Sequence, residues 1–328
     1  MLLERPRRNR KSSAIRHLVE ENVLRAADLV MPFFVIEGEN KQEEIKSLPG
    51  VFRLSLDHVL REAEKLHAQR IPAIALFPVI DSKHKDEKGT AALHEDGLVP
   101  RILQTIKREI PSLCLITDIA LDPFTSHGHD GLVDERGYVI NDPTVEILTQ
   151  MACLFGAAGA DIVAPSDMMD GRIGAIRRQL DLSGQHEVAI LSYTAKYASA
   201  LYSPFREAVG STLKFGDKKT YQMNPANSRE AVRQALLDAQ QGADMLMVKP
   251  ALFYLDIIAK LKEQVHLPIC AYHVSGEYAM VMAAAANGWI DAPKVFHEAL
   301  LGMKRAGADF IFSYAVPKIL PFLELKPF

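Results

Sequence analysis

The residue of greatest chemical consequence stands in "ADMLMVKPAL". Lys249 closes a nearly continuous apolar run, and Pro250 follows at once. Taking an ammonium group out of water is costly unless it is paired or neutral. Two readings follow: Lys249 pairs with Asp118 or another strand-end carboxylate, or it is a Schiff-base nucleophile. An amine attacks a carbonyl only when unprotonated, and an ordinary lysine is almost wholly protonated at neutral pH. Apolar walls and a second cation both lower its pKa. Lys196 in "SYTAKYAS" supplies that cation under the second reading; alone, it reads as a surface lysine at a helix start. Pro250 stops the backbone from continuing regularly and fixes its exit.

Other chemistry-bearing residues collect in loops. "LDPFTSHGHDG" holds His127 and His129 with Asp122 and Asp130 nearby. A metal site needs further ligands beyond such a pair, and the aspartate oxygens suit magnesium better than zinc. Flanking glycines equally fit a polar, solvated loop. The connection "SPFREAVGSTLKFGDKKTYQMNPANS" is too long for a plain strand–helix turn and reads as a lid. Arg206, Lys218 and Gln222 on it could grip a carboxylate. The bland alternative is a surface loop with scattered cations.

Elements must bring these residues together. Eight short apolar runs recur: "LVMPFFV", "AIALFPV", "LCLITDIAL", "DIVAPS", "VAILSYT", "MLMVKP", "PICAYHVS" and "DFIFSY". They are continuous rather than alternating, as in parallel strands buried on both faces. Helical patterns fill the gaps. "NDPTVEILTQMACLFGAAGAD" opens with Asp142 as an expected N-cap and Pro143 at the first helical position. "NSREAVRQALLDAQQGAD" carries Asn227 and Glu230 in capping-box order. Gly-Ala-Asp precedes a strand three times, at Gly159, Gly242 and Gly307, which predicts a glycine ending each helix. Eight strand–helix repeats predict a TIM (β/α)8 barrel with an extended N-terminal arm: residues 1–24 as arm, 25–328 as one catalytic domain. A doubly wound sheet would favour a glycine-rich loop after the first strand, where "VIEGEN" stands. In a barrel the active site lies at the C-terminal strand ends. There Asp118, Ser166, Asp167, Lys196, Lys249, Tyr272, His273, Ser275, Ser313 and Tyr314 should converge.

Composition excludes other classes. The 328 residues carry a net charge of −3, with no basic excess suggesting nucleic acid. No apolar run reaches the roughly 20 residues of a membrane span. Cys114, Cys153 and Cys270 are widely spaced and read as reduced thiols in a cytoplasmic protein. The basic start, "MLLERPRRNRKSSAIRHLVEEN", fits a transit peptide, a disordered tail or an arm docking on a neighbouring subunit.

Taken together, the motifs "TDIALDPFTSHGHDG", "APSDMMDGRIGAIR", "SYTAKYASALYSPFREA", "YQMNPANSREA", "GADMLMVKPALFYLDII" and "YHVSGEYAM" closely resemble the porphobilinogen synthase (5-aminolevulinate dehydratase) family over essentially the full length. The resemblance implies a TIM-barrel enzyme that condenses two 5-aminolevulinate molecules into porphobilinogen, the pyrrole precursor of haem and chlorophyll. It implies an arm that wraps a neighbouring subunit, usually within a homo-octamer, and no organic cofactor. Carried over by motif, Lys249 forms the P-side Schiff base, and Lys196 forms an A-side one or tunes its partner. Ser275 and Tyr314 match the P-side carboxylate groups, Arg206, Lys218 and Gln222 the A-side ones, and Asp118 and Ser166 line the pocket. Zinc-dependent relatives have three cysteines where this chain has Ala120, Asp122 and Asp130. No zinc site is therefore expected. The resemblance is to the aspartate-type, plant-like branch, which is magnesium-linked or dispenses with active-site metal. Asp122 and Asp130 are then candidate magnesium ligands. The allosteric magnesium position is Gln234, a weaker ligand than a glutamate, with Glu230 nearby as a substitute. Rival readings are a class I aldolase barrel, a metal-dependent barrel hydrolase using His127 and His129, and a silent ligand-binding barrel.

Overall fold

A computed structural model describes residues 2–323. Eight parallel strands form the barrel: β1 (Leu29–Val35), β2 (Ala73–Pro78), β3 (Cys114–Ile119), β4 (Ile162–Pro165), β5 (Ala189–Lys196), β6 (Met245–Lys249), β7 (Ile269–His273) and β8 (Phe310–Ser313). Each pairs with the next, and β8 returns to β1 through Leu29↔Ile311 and Val30↔Phe312, so the sheet closes. All seven residues of β1 and all six of β2 are buried. Helices cover the outside while the inward side chains fill the centre, so both faces of the strands are largely apolar. A short antiparallel pair, Gln42–Glu44 with Phe52–Leu54, extends from β1.

Helices arise where apolar residues recur at helical spacing. Leu56–Ala68 buries Val59, Ala63 and Leu66 and carries Asp57 in its first turn and Lys65 and His67 in its last, matching the helix dipole. Two expected caps differ. The helix Asn141–Ala157 starts at Asn141, with Ile140 as cap, so Asp142 lies within its first turn. There Thr144 spends its hydroxyl on the Ile140 carbonyl (2.6 Å). The helix Arg229–Gln240 has Ser228 at its cap, and Asn227 donates to the Glu230 carboxylate (2.8 Å) rather than completing a backbone box.

The Gly-Ala-Asp repeats have a further function in the barrel. Gly159, Gly242 and Gly307 take φ of 110°, 97° and 114°, which favours glycine. The aspartates that follow then clamp the neighbouring strand. Asp161 accepts from the Leu115 amide, Asp244 from Ile190 and Asp309 from Ile269, each at 2.7 Å. β4, β6 and β8 are thus each tied to the preceding strand at the end opposite the site.

The seventh apolar run extends too far on paper. β7 stops at His273 because the buried Glu277 carboxylate takes the Val274 amide (2.7 Å) and starts the helix Ser275–Ala286. Among residues 2–23 none is buried, although Pro6–Arg10 and Ser13–Leu18 are helical. No described helix is long and apolar enough to cross a membrane.

Candidate active site

The two lysines end adjacent strands in register, Lys196↔Lys249. Lys249 is 5% exposed. Its Nζ lies 4.6 Å from the ring centre of Tyr272, 4.7 Å from Phe205, 5.2 Å from Tyr193 and 5.3 Å from Tyr202. Among the described residues no carboxylate comes within ion-pair distance of it. Burial, then the charge of Lys196, pulls its pKa down from 10.5 to about 7. The amine is therefore available as a nucleophile near neutrality. The backbone beneath it is fixed: Tyr202 Oη donates to the Lys249 carbonyl (2.9 Å), as does the Tyr197 amide.

Lys196 has a different setting. Its Nζ donates to the Ser166 carbonyl at the end of β4 and lies 3.9 Å from Asp130 Oδ1. The bland pairing imagined for Lys249 thus belongs to Lys196. Asp118, from β3, is pushed up to about 7 by burial and by Asp122, and its Oδ1 has no partner among the described residues. It is poised to exchange a proton at neutral pH.

The lid closes over this mouth. Lys218 Nζ sits 3.4 Å from Asp122 Oδ2 and 3.2 Å from Asp130 Oδ1. Burial opposes the charge on Lys218, but the two aspartates hold its pKa above the usual value. Burial alone would raise Asp130; Lys196 and Lys218 hold it down near 2. Burial raises Asp122. Gln222, with an unpartnered Oε1, and Arg206 line the same cavity as Asp118, Ser166 and both lysines. Ser275 and Tyr314 lie just behind it. Ser275 Oγ accepts the Phe205 amide (3.0 Å), and Tyr314 shares a 2.9 Å hydrogen bond with Tyr272, whose ring faces Lys249.

The candidate magnesium positions make protein contacts of their own. Asp122 and Asp130 bracket an ammonium group, and Lys218 would have to withdraw before a magnesium ion could use both. The Gln234 amide nitrogen donates to Asp238 (2.8 Å), and the side chain lines a cavity together with Glu230. His127 and His129 hold the lid. His129 Nε2 contacts the Phe215 carbonyl (3.1 Å), its Nδ1 Tyr221 Oη (3.2 Å), and His127 Nε2 the Glu87 carbonyl (3.1 Å). No cluster of three or more metal-ligating side chains is present among the described residues.

Sequence reasoning missed the aromatic cage. Its members come from residues 193, 202, 205 and 272, which no periodicity joins. Tyr272 was placed at the mouth by its strand end, whereas Tyr193, three residues before Lys196, and "LYSPF", at the start of the lid, lay only near a flagged position.

Fold and site together define a TIM-barrel protein with paired buried lysines beneath a basic lid. A sequence model of the family described as delta-aminolevulinic acid dehydratase matches residues 3–322, and the chain belongs to that family. Over 315 residues it is 52% identical to the delta-aminolevulinic acid dehydratase of Bradyrhizobium diazoefficiens, covering 96% of this chain and 89% of that one. It is 53% identical over 323 residues to that of Chlamydia pneumoniae, covering 98% and 97%. A solved structure of the Toxoplasma gondii enzyme, in complex with the reaction product porphobilinogen, superposes with a TM-score of 0.96 at 47% identity over 98% of this chain and 92% of that one.

Proposed function

We propose that the chain is a porphobilinogen synthase that condenses two 5-aminolevulinate molecules through its two lysines. The observation that carries the reading is the caged, unpaired Lys249 amine with Lys196 on the adjacent strand. Neutral Lys249 attacks the ketone of the P-side substrate, and the carbinolamine loses one water as the imine forms. The protonated imine draws electrons from the adjacent carbon, so a proton leaves readily. Asp118, with its pKa near 7 and a free Oδ1, is suited to carry protons in these steps. The second substrate then forms the carbon–carbon and carbon–nitrogen bonds; its ketone oxygen leaves as the second water, and the bond to Lys249 breaks as the pyrrole forms, which returns the free amine. Arg206, Lys218 and Gln222 are assigned to the A-side carboxylate, Ser275 and Tyr314 to the P-side one, and Ser166 to the pocket wall. Lys196 holds the A-side substrate or tunes its partner. The closed lid shields imines from water.

No step is assigned to a metal. Lys218 already supplies positive charge between Asp122 and Asp130, and Gln234 is engaged with Asp238. The domain division, with residues 1–24 as an arm in a homo-octamer, and a cytoplasmic setting belong to the same proposal. The free cysteines Cys114, Cys153 and Cys270 suit a reducing compartment. The hydrolase reading loses support because the rings of His127 and His129 are engaged with the lid and its surroundings.

Borohydride reduction in the presence of labelled 5-aminolevulinate should leave an adduct at Lys249, and Lys249→Met should form no porphobilinogen. Product formed equally by both proteins would refute the assignment.

A further inference from the structure

Lys196 owes its direction to an irregularity in its own strand. β5 pairs with β6 as Leu191↔Met245 and Ser192↔Leu246, then as Ala195↔Val248 and Lys196↔Lys249. Between the pairs β5 advances three residues and β6 two, so β5 carries one extra residue. In a regular strand a single extra residue exchanges which side chains face which side. This bulge therefore decides whether Lys196 enters the cavity.

A buried carboxylate grips the bulge at its start and within it. Asp238, on the helix Arg229–Gln240 packed outside β5, is fully buried. Its Oδ2 accepts from Ser192 Oγ (2.6 Å), the last residue before the shift, and from Thr194 Oγ1 (2.7 Å), inside it. Its Oδ1 accepts from the Gln234 amide one helical turn earlier (2.8 Å). Ser192 also touches Arg172, a fully buried arginine at 3.4 Å from Asp167, the residue after the Ser166 that receives Lys196. The carboxylate thus has three donors and is committed to holding the strand's shape. A wall needing only apolar contact would not require a charge at such a cost of desolvation.

We propose that Asp238 is a positioning residue for Lys196: by fixing the β5 bulge it turns that lysine toward Lys249. The inference rests on the assignment of the two lysines above, and wild-type activity with trapping at Lys249 tests that assignment separately. Asp238→Asn keeps the volume but replaces one acceptor with a donor. Its kcat should fall about 10²-fold, the scale of a misplacement of roughly 1 Å. With Lys196 turned aside, its charge would no longer depress Lys249. The pH at which imine trapping on Lys249 reaches half its maximum should therefore move upward from about 7. A variant that merely loosens the fold would lower thermal stability and leave that midpoint in place. Should Asp238→Asn fail to fold, Thr194→Val removes only the hydroxyl inside the bulge, and Thr194→Ser should restore what it loses. Unchanged kcat and an unchanged midpoint in the folded variant overturn the proposal; a lower kcat with a raised midpoint supports it.

Discussion

At the scale of single residues, the site separates three cations by their surroundings. Lys249 faces aromatic rings, Lys196 a carbonyl and a distant carboxylate, and Lys218 two carboxylates. Burial and the charge of its neighbour push Lys249 toward its neutral form, whereas two aspartates keep Lys218 charged. The folded pKa of Lys249 lies below the ordinary lysine value, so its reactive form grows as pH rises through about 7. Imine trapping at Lys249 should rise across that midpoint. In Lys196→Met the rise should shift to higher pH, because a depressing charge has gone and burial remains. An identical profile in both proteins would show that Lys196 does not tune its neighbour. Lys218 leads to a second expectation. With an ammonium already between Asp122 and Asp130, porphobilinogen formation should persist in chelated buffer. Lys218→Met should lower kcat/KM by about 10-fold or more through loss of a charge-assisted carboxylate contact. Complete loss of activity on chelation, restored by magnesium, would place a required ion at the aspartates in exchange for Lys218 or at the Gln234–Glu230 position.

At the scale of elements, the lid and the helix beneath it act as one unit. The short helix Ser203–Val209 receives two contacts from Arg53, whose Nε and Nη2 donate to the carbonyls of Ala208 (2.6 Å) and Glu207 (2.7 Å). It also brings Phe205 against Ser275. Gly276 is what permits this approach: a Cβ there would meet the Leu201 carbonyl oxygen at 2.5 Å and its Cα at 2.7 Å. Gly276→Ala must push the lid's base away from Lys249. We expect KM for 5-aminolevulinate to rise several-fold and thermal stability to drop by about 1–3 kcal/mol, the range for overpacking. Wild-type KM would show that the lid tolerates the shift. The elements themselves were largely legible. Seven of the eight apolar runs contain their strand, because continuous burial leaves a continuous apolar signature; β5 runs two residues past "VAILSYT", through its bulge, to Lys196. The lysines and lid cations stood out because charge beside such a run is anomalous. Three things were hidden: the rings around Lys249, the partner of Lys196, and the use of Lys218 as the cation between Asp122 and Asp130. These depend on which strand neighbours which and on a bulge in β5, and residue spacing encodes neither. The capping residues misread at Asp142 and Asn227 show a smaller version of the same limit. A side chain able to cap was present, but a competing contact was nearer.

At the scale of the whole molecule, the barrel satisfies itself and the arm does not. The strands, their helices and the lid bury one another, whereas residues 2–23 expose Leu3 at 91%, Leu18 at 84% and a series of arginines. A six-residue helix such as Ser13–Leu18 holds poorly in water alone, since isolated helices shorter than about 12–15 residues are marginal. Its Ser12 cap, which accepts the Ile15 amide at 3.3 Å, fixes an end without supplying a packed face. An arm docked as proposed above would gain from outside its own chain the packed face that Ser13–Leu18 lacks. A second copy is the occupant assigned above, and the barrel exposes apolar residues, Trp289 at 76% and Phe253 at 63%, that single-chain packing leaves uncovered. Removing residues 1–23 should leave a folded barrel, because none of its core residues comes from that segment. Native mass should fall to that of a smaller assembly, while the circular dichroism of the barrel persists. The arginines predict a further signature. If they meet carboxylates across the interface, the full-length assembly should loosen with rising salt, as screening weakens exposed ion pairs. A truncated chain that keeps the native mass of the intact protein would place the assembly contacts on the barrel and leave the arm without that role.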